Sequence, residues 1–209
     1  MAAELAAATQ TLSDEQQQLA LSVYRLLADG EPVEQDRLAA RAGLEPEYVS
    51  TLLSDLPGVY LDDEERVIGF WGLTIRPMTH RLLVDDRLLY AWCAWDTLFL
   101  PELIGKSAQV QSTCPTTGTP ISLTVHDHEL ADIVPPNTVL SFLHRDQPFD
   151  ADAIATFCHY VHFFADRATA ERWTSKRDGS FVVSLADGAE IARLANAARF
   201  PTISPGRSD

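Results

Sequence analysis

Residues 88–105, LLYAWCAWDTLFLPELIG, form the most aromatic and apolar run of the chain, and it contains one cysteine, Cys93, and one carboxylate, Asp96. Any fold must bury this run and take the carboxylate inside with it. The pattern predicts a helix over residues 91–100, bent or restarted at Pro101 and stopped at Gly105. In a helix a three-residue spacing brings Cys93 and Asp96 onto one face. Cys93 would lie in the first turn, where the helix dipole favours thiolate. An ionised Asp96 opposes that, because two like charges so close resist coexistence. Such a pair shares a proton, and a shared proton beside an apolar wall is usable for chemistry. A buried cysteine is also an ordinary inert core residue, so the pair alone does not assign a function.

Charge and cysteine usage narrow the function classes. The 209-residue chain carries a net charge of −14, which disfavours sequence-independent attraction to nucleic acid or anionic lipid. Its length suits one large domain or two small ones with an ample core. The N-terminus, MAAELAAATQT, lacks the basic start and continuous apolar core of a secretory signal. No stretch reaches the ~20 apolar residues of a membrane span. Three cysteines, at 93, 114 and 158, are an odd number and widely spaced. They point to reduced thiols in a cytoplasmic protein. Without a CxxC pair, a four-cysteine zinc site within one chain is excluded.

After an Ala-rich tail to Gln10, Ser13 followed by Asp14, Glu15 and Gln16 reads as a helix start close to a capping box. Leu19, Val23, Leu26 and Leu27 recur at helical spacing up to Gly30. Further helices are expected over residues 33–42 and 46–56, then a hairpin from residues 59–61 and 67–71 around an acidic loop. Three helices and a hairpin in this order resemble a winged helix, often a DNA-binding module. Residues 1–77 hold fourteen acidic side chains against five arginines, a balance of −9. The helix in the recognition position (EPEYVSTLLSDLP) has no Lys or Arg, and the wing tip is DDEE. Such a surface repels phosphates, so the segment is expected to be a packing domain.

Residues 73–77 read as a linker to a second domain, 78–209. Strands are expected over residues 80–84, 87–89, 108–112 and 121–125, the last two joined by CPTTGTP, which carries Cys114. A Cys-Pro-x-x-Gly turn can be half of a metal ribbon, but its partner half is missing, so Cys114 is expected to be structural. A strand at 138–143 and a short helix at 149–156 lead to FCHYVHFF, residues 157–164, whose alternation is of strand type. That reading sets His159 and His162 on opposite faces, against a shared metal ion. A helix at 169–176 with Trp173 inward, a strand at 181–184, a closing helix at 186–200 and a flexible tail complete the chain.

The stretches YAWCAWDTLFLPELIG, QSTCPTTGTPISLTV and FCHYVHFFAD followed by TAERWTSK resemble the organomercurial (alkylmercury) lyases. The likeness runs from about Val59 to the C-terminal helix. The resemblance implies an α+β fold: a winged-helix-like N-terminal domain, then a mixed α/β catalytic domain with short antiparallel sheets. It also implies that the chemistry rests on Cys93, Asp96 and Cys158, with Cys114 structural. Protonolysis of R–Hg–X would give a hydrocarbon and Hg(II) held by Cys93 and Cys158, with Asp96 nearby.

Chemistry agrees with that trio. Hg(II) is soft and thiolate is a soft ligand, so paired cysteines suit it. Carbon takes a proton as sulfur donates electron density to mercury, and a poised carboxyl supplies or relays that proton. Trp92, Trp95 and Phe99 would raise the Asp96 pKa by desolvation and hold the organic group, although aromatics here also serve as plain core. No organic cofactor or structural metal is implied. Cellular thiols would remove the product, the family works beside a mercuric reductase, and neither nucleic acid nor membrane is an expected partner. The alternatives are a non-catalytic thiol protein that sequesters soft metal ions, and a transcriptional regulator.

Overall fold

The computed structural model describes residues 12–126, 128–144 and 153–201. The Ala-rich N-terminal tail and the C-terminal tail lie outside the described residues, as does the start of the helix expected from residue 149.

Three helices open the chain: α1 (Asp14–Leu27), α2 (Gln35–Ala42) and α3 (Pro46–Asp55). The capping box at the start of α1 is formed, with Ser13 Oγ accepting from the Gln16 N–H and Gln16 Oε1 accepting from the Ser13 N–H. Leu19, Val23, Leu26 and Leu27 are buried, as their spacing requires. Gly43 closes α2 in the left-handed conformation, and Pro46 occupies the first turn of α3. Val33 lies ahead of α2 and bridges Val67, which ties the helices to the wing. The wing is β1 (Val59–Leu61) and β2 (Val67–Phe70).

The expected linker is a strand instead. β3 (Leu73–Thr74) pairs with β2 on one side and with β5 (Arg87–Ala91) on the other. Both its residues are buried, and the Thr74 hydroxyl donates to the Ile68 carbonyl, so this short segment is sealed into the ladder. The wing therefore continues into the main antiparallel sheet. Its other strands are β4 (His80–Val84), β6 (Ala108–Thr113), β7 (Pro120–His126) and β8 (Glu129–Val134), in the order β1-β2-β3-β5-β4-β6-β7-β8. Burial alternates along β6, buried and exposed by turns, whereas β8 is exposed or half-buried throughout and has no such alternation.

A smaller sheet has the order β10-β9-β11, with β9 (Val139–Leu143) central between β10 (Phe163–Phe164) and β11 (Ser180–Ser184). Helix α4 (Asp96–Ile104) packs against α1 and the long C-terminal helix, α7 (Leu185–Arg199). The short α5 (Ala153–Thr156) precedes Cys158, and α6 (Arg167–Thr174) follows β10. Among the described residues no helix is long and apolar enough to cross a membrane. The fold is α+β.

Two elements differ from expectation. The helix does not begin near Ala91: β5 runs through Ala91, and α4 starts at Asp96 with Trp95 as its N-cap. Pro101 lies inside α4, which continues past it to Ile104 before Gly105 turns left-handed. Residues 157–164 are not one strand either. Cys158–Tyr160 form a 3-10 turn, and only Phe163 and Phe164 join β9. Ser141 of β9 explains the break: its backbone N–H donates to the His162 carbonyl, and its hydroxyl donates to the Tyr160 carbonyl and accepts from the His162 N–H. These bonds satisfy the backbone there without a ladder.

Candidate functional site

The junction between β5 and α4 builds the site. The Trp92 N–H donates to the Gly72 carbonyl, at 2.9 Å, and the Ala94 N–H donates to the Val161 carbonyl, at 3.1 Å. Between them the Cys93 N–H donates to Asp96 Oδ2, at 2.8 Å. Asp96 is the first residue of α4, so its carboxylate lies at the positive end of the helix dipole. Cys93 stands just outside the helix, where Asp96 and not the thiol occupies that favourable position. The expected one-face pairing is thus replaced by a tight turn with the same outcome of proximity.

Cys158 comes from the other side. The 3-10 turn carries it to the Cys93 junction, which is already fastened to that segment through Val161. The two Sγ atoms and an Asp96 oxygen all lie within 4.8 Å of one another, and all three residues are buried. None of the three cysteines forms a disulfide. Two soft-metal–sulfur bonds, about 2.3 Å each as in zinc thiolates, span a comparable distance.

Burial sets the protonation of Cys93 and Asp96. It pushes the Asp96 carboxyl up to about 7 even though contacts with Cys93 pull the other way. Cys93 is pushed well above the ordinary thiol range, first by burial, then by its hydrogen bond to Cys158 and the nearby Asp96 charge. Burial therefore favours the neutral forms of both groups.

A cavity of about 40 Å³ adjoins the trio, lined by Asp96 and Cys158 together with Trp92, Trp95 and Phe99. Trp95 is fixed at both ends. Its ring packs edge-on against Phe99 and Phe142, and its Nε1–H donates to the Gly188 carbonyl of α7. Trp92 packs edge-on against Tyr60 of the wing. The wall also includes Trp71, Gly72, Phe157 and Arg199, which sequence reasoning did not single out. Trp71 ends the hairpin strand expected over residues 67–71, and Gly72 stands between it and the expected linker, residues 73–77. Arg199 had no local signal at all, since only the packing of α7 brings it here.

Other singled-out residues lie elsewhere. Cys114 is buried in the turn between β6 and β7. Burial pushes its thiol up, but bonds from the Thr117 hydroxyl and the Ala165, Thr117 and Thr116 N–H groups outweigh this and hold it below the ordinary value. His162 Nε2 meets the His159 carbonyl, at 2.8 Å, so the two are linked through backbone and not placed on opposite faces of a strand. His80, stacked near His162 and bonded through Nδ1 to the Ser112 hydroxyl, is driven by burial down to about 3 and stays neutral.

Comparison with known proteins supplies the family. Residues 73–196 match the family model described as alkylmercury lyase, and residues 2–71 match the helix-turn-helix domain of alkylmercury lyase. The chain belongs to the alkylmercury lyase family. An alkylmercury lyase from Bacillus cereus is 40% identical over 173 residues, covering 82% of this chain and 78% of that one. One from Pseudomonas putida is 38% identical over 176 residues, covering 84% and 82%. A crystal structure of the mercury-bound form of MerB2 superposes with a TM-score of 0.75 at 24% identity, covering 94% of this chain and 97% of that one, and shows the same fold. The helix-turn-helix segment reaches the cavity through Trp71, and Gly72 follows it directly.

Proposed function

We propose that Cys93, Asp96 and Cys158 are the groups with which this lyase cleaves the carbon–mercury bond of organomercurials. The convergence of two thiols and a carboxyl within 4.8 Å carries the assignment. A Cys93 thiolate displaces X from R–Hg–X, and X leaves with the Cys93 proton as HX. The Cys158 sulfur then adds to mercury while its proton passes to Asp96. Asp96 delivers that proton to the carbon, the carbon–mercury bond breaks towards carbon, and R–H departs. Hg(II) remains on the two sulfurs. The balance is R–Hg–X plus two thiols giving R–H, HX and a dithiolate of Hg(II).

An Asp96 carboxyl held at about 7 can take and return a proton near neutral pH, the condition that general acid–base catalysis requires. Trp92, Trp95 and Phe99 receive the organic group and keep water from the reacting atoms. Small cellular thiols remove Hg(II), for hand-over to a mercuric reductase, and three reduced cysteines suit the cytoplasm. The N-terminal unit, residues 1–77, walls the catalytic unit, residues 78–209, and its −9 balance sets it apart from DNA readers.

Incubation with phenylmercury and excess thiol tests the reading by release of benzene. Uptake of mercury with no benzene would leave a thiol protein that only sequesters soft metal ions.

A further inference from the structure

One charge on the cavity wall has no task in this reaction. Arg199 lies in the last turn of α7, is 7% exposed, and lines the same cavity as Asp96 and Cys158. Its guanidinium carbon stands 4.4 Å from the centre of the Trp71 ring and 5.8 Å from that of Phe70. It also hydrogen-bonds Tyr24. Among the described residues no carboxylate forms an ion pair with it. In a chain with 30 acidic and 16 basic side chains, an arginine buried without a counter-ion is conspicuous.

A buried cation lacking an anion is strongly unfavourable, and aromatic faces return only part of the lost solvation. Burial accordingly draws the guanidinium pKa below its ordinary range. The cavity wall thus carries a soft sulfur, a planar cation and several aromatic rings. A guanidinium fork matches a carboxylate in geometry as well as in charge.

We propose that Arg199 is a specificity residue that receives a carboxylate carried by a reactant, so that the lyase favours reactants bearing one over neutral counterparts. This rests on the cavity being where the organomercurial reacts. The carboxylate can belong to the organic group or to the thiol ligand on mercury, and two experimental arms separate these sources.

In the first arm, 4-carboxyphenylmercury is compared with the similarly shaped, neutral 4-carbamoylphenylmercury, both supplied with 2-mercaptoethanol. In the second, phenylmercury is supplied with either 3-mercaptopropionate or 2-mercaptoethanol. The expected result is a kcat/KM ratio of about tenfold to a hundredfold in favour of the carboxylate in at least one arm, the range of a charged hydrogen bond. Arg199→Met should bring that ratio close to one, mainly through KM, and Arg199→Lys should keep part of it. Ratios near one for the wild type in both arms would overturn the proposal, as would an equal loss on charged and neutral reactants in Arg199→Met. If the Met variant does not fold, wild-type inhibition decides. Benzoate should compete with phenylmercury at least tenfold better than benzamide, and equal inhibition would overturn the proposal. Release of benzene by the wild type tests the underlying cleavage separately, so failure of one is distinguishable from failure of the other.

Discussion

Asp96 meets opposing demands. Its carboxylate accepts the Cys93 N–H and lies at a helix N-terminus, which both favour ionisation, yet burial prevails and raises its pKa to about 7. If it relays the proton to carbon, Asp96→Asn should keep both thiols able to bind Hg(II) but slow cleavage by about a hundredfold to ten-thousandfold. Single-turnover cleavage of phenylmercury measures this, and a wild-type rate would end the relay assignment. The same shift predicts a stability signature. Below about pH 4 the carboxyl is protonated in the folded and unfolded chains alike, so it contributes no pH dependence. Between about pH 4 and 7 the unfolded chain ionises first, and the fold loses about 1.4 kcal/mol per pH unit from this group. Above pH 7 the loss is complete and constant. Asp96→Asn removes the penalty, so urea denaturation should find the variant more stable than the wild type at pH 8, with the difference vanishing towards pH 4. A difference independent of pH would show that Asp96 is already ionised in the fold.

At the scale of elements, the cysteines divide by what surrounds them. Cys114 lies in a turn whose N–H groups point at its sulfur, and it does not line the cavity. Cys114→Ser should lower stability by about 1–3 kcal/mol, since the shorter C–O bond loosens those contacts, while activity per folded molecule persists. Cys93→Ser and Cys158→Ser should each abolish benzene release with the fold intact, because a hydroxyl is a hard and weakly acidic ligand. Equal destabilisation by all three, with activity lost only through unfolding, would return the cysteines to the core. Elements with local signals were legible in the sequence: the Ser13 capping box, the Gly43 stop, and the CPTTG turn. The segment around Cys158 was not, because its alternation imitates a strand while Ser141, in a distant strand, supplies the bonds that fold it into a turn. The site was legible through the family resemblance, which named Cys93, Asp96 and Cys158, three residues that lie together in the structure. Local pattern alone gave only the Cys93–Asp96 pair, and the expected helix placed Cys93 one turn too deep. Trp71, Gly72 and Arg199 reach the cavity through tertiary packing alone.

For the whole molecule, the sheet runs unbroken from the wing to β8, and Trp71 and Gly72, between β2 and β3, stand in the cavity wall. Tyr24 of α1 donates its hydroxyl to the Trp71 carbonyl, and the Gly72 carbonyl receives the Trp92 N–H, so this turn is held from both directions. Gly72 has φ +95°, a conformation that side chains rarely adopt. A Cβ there would stand 3.0 Å from the Asp96 carboxyl carbon and 3.0 Å from Cζ of Phe99. Both neighbours would have to yield, and they are the carboxyl and one aromatic wall of the site. Gly72→Ala should therefore cost about 1–3 kcal/mol of stability through backbone strain. It should also reduce kcat by more than tenfold in the molecules that remain folded, because small misplacements of reacting groups are costly. Hg(II) binding by the two thiols should survive, since the atoms nearest the added methyl belong to Asp96 and Phe99. If Gly72→Ala cleaved phenylmercury at the wild-type rate per folded molecule, the N-terminal unit would be a covering layer with no part in placing the proton relay.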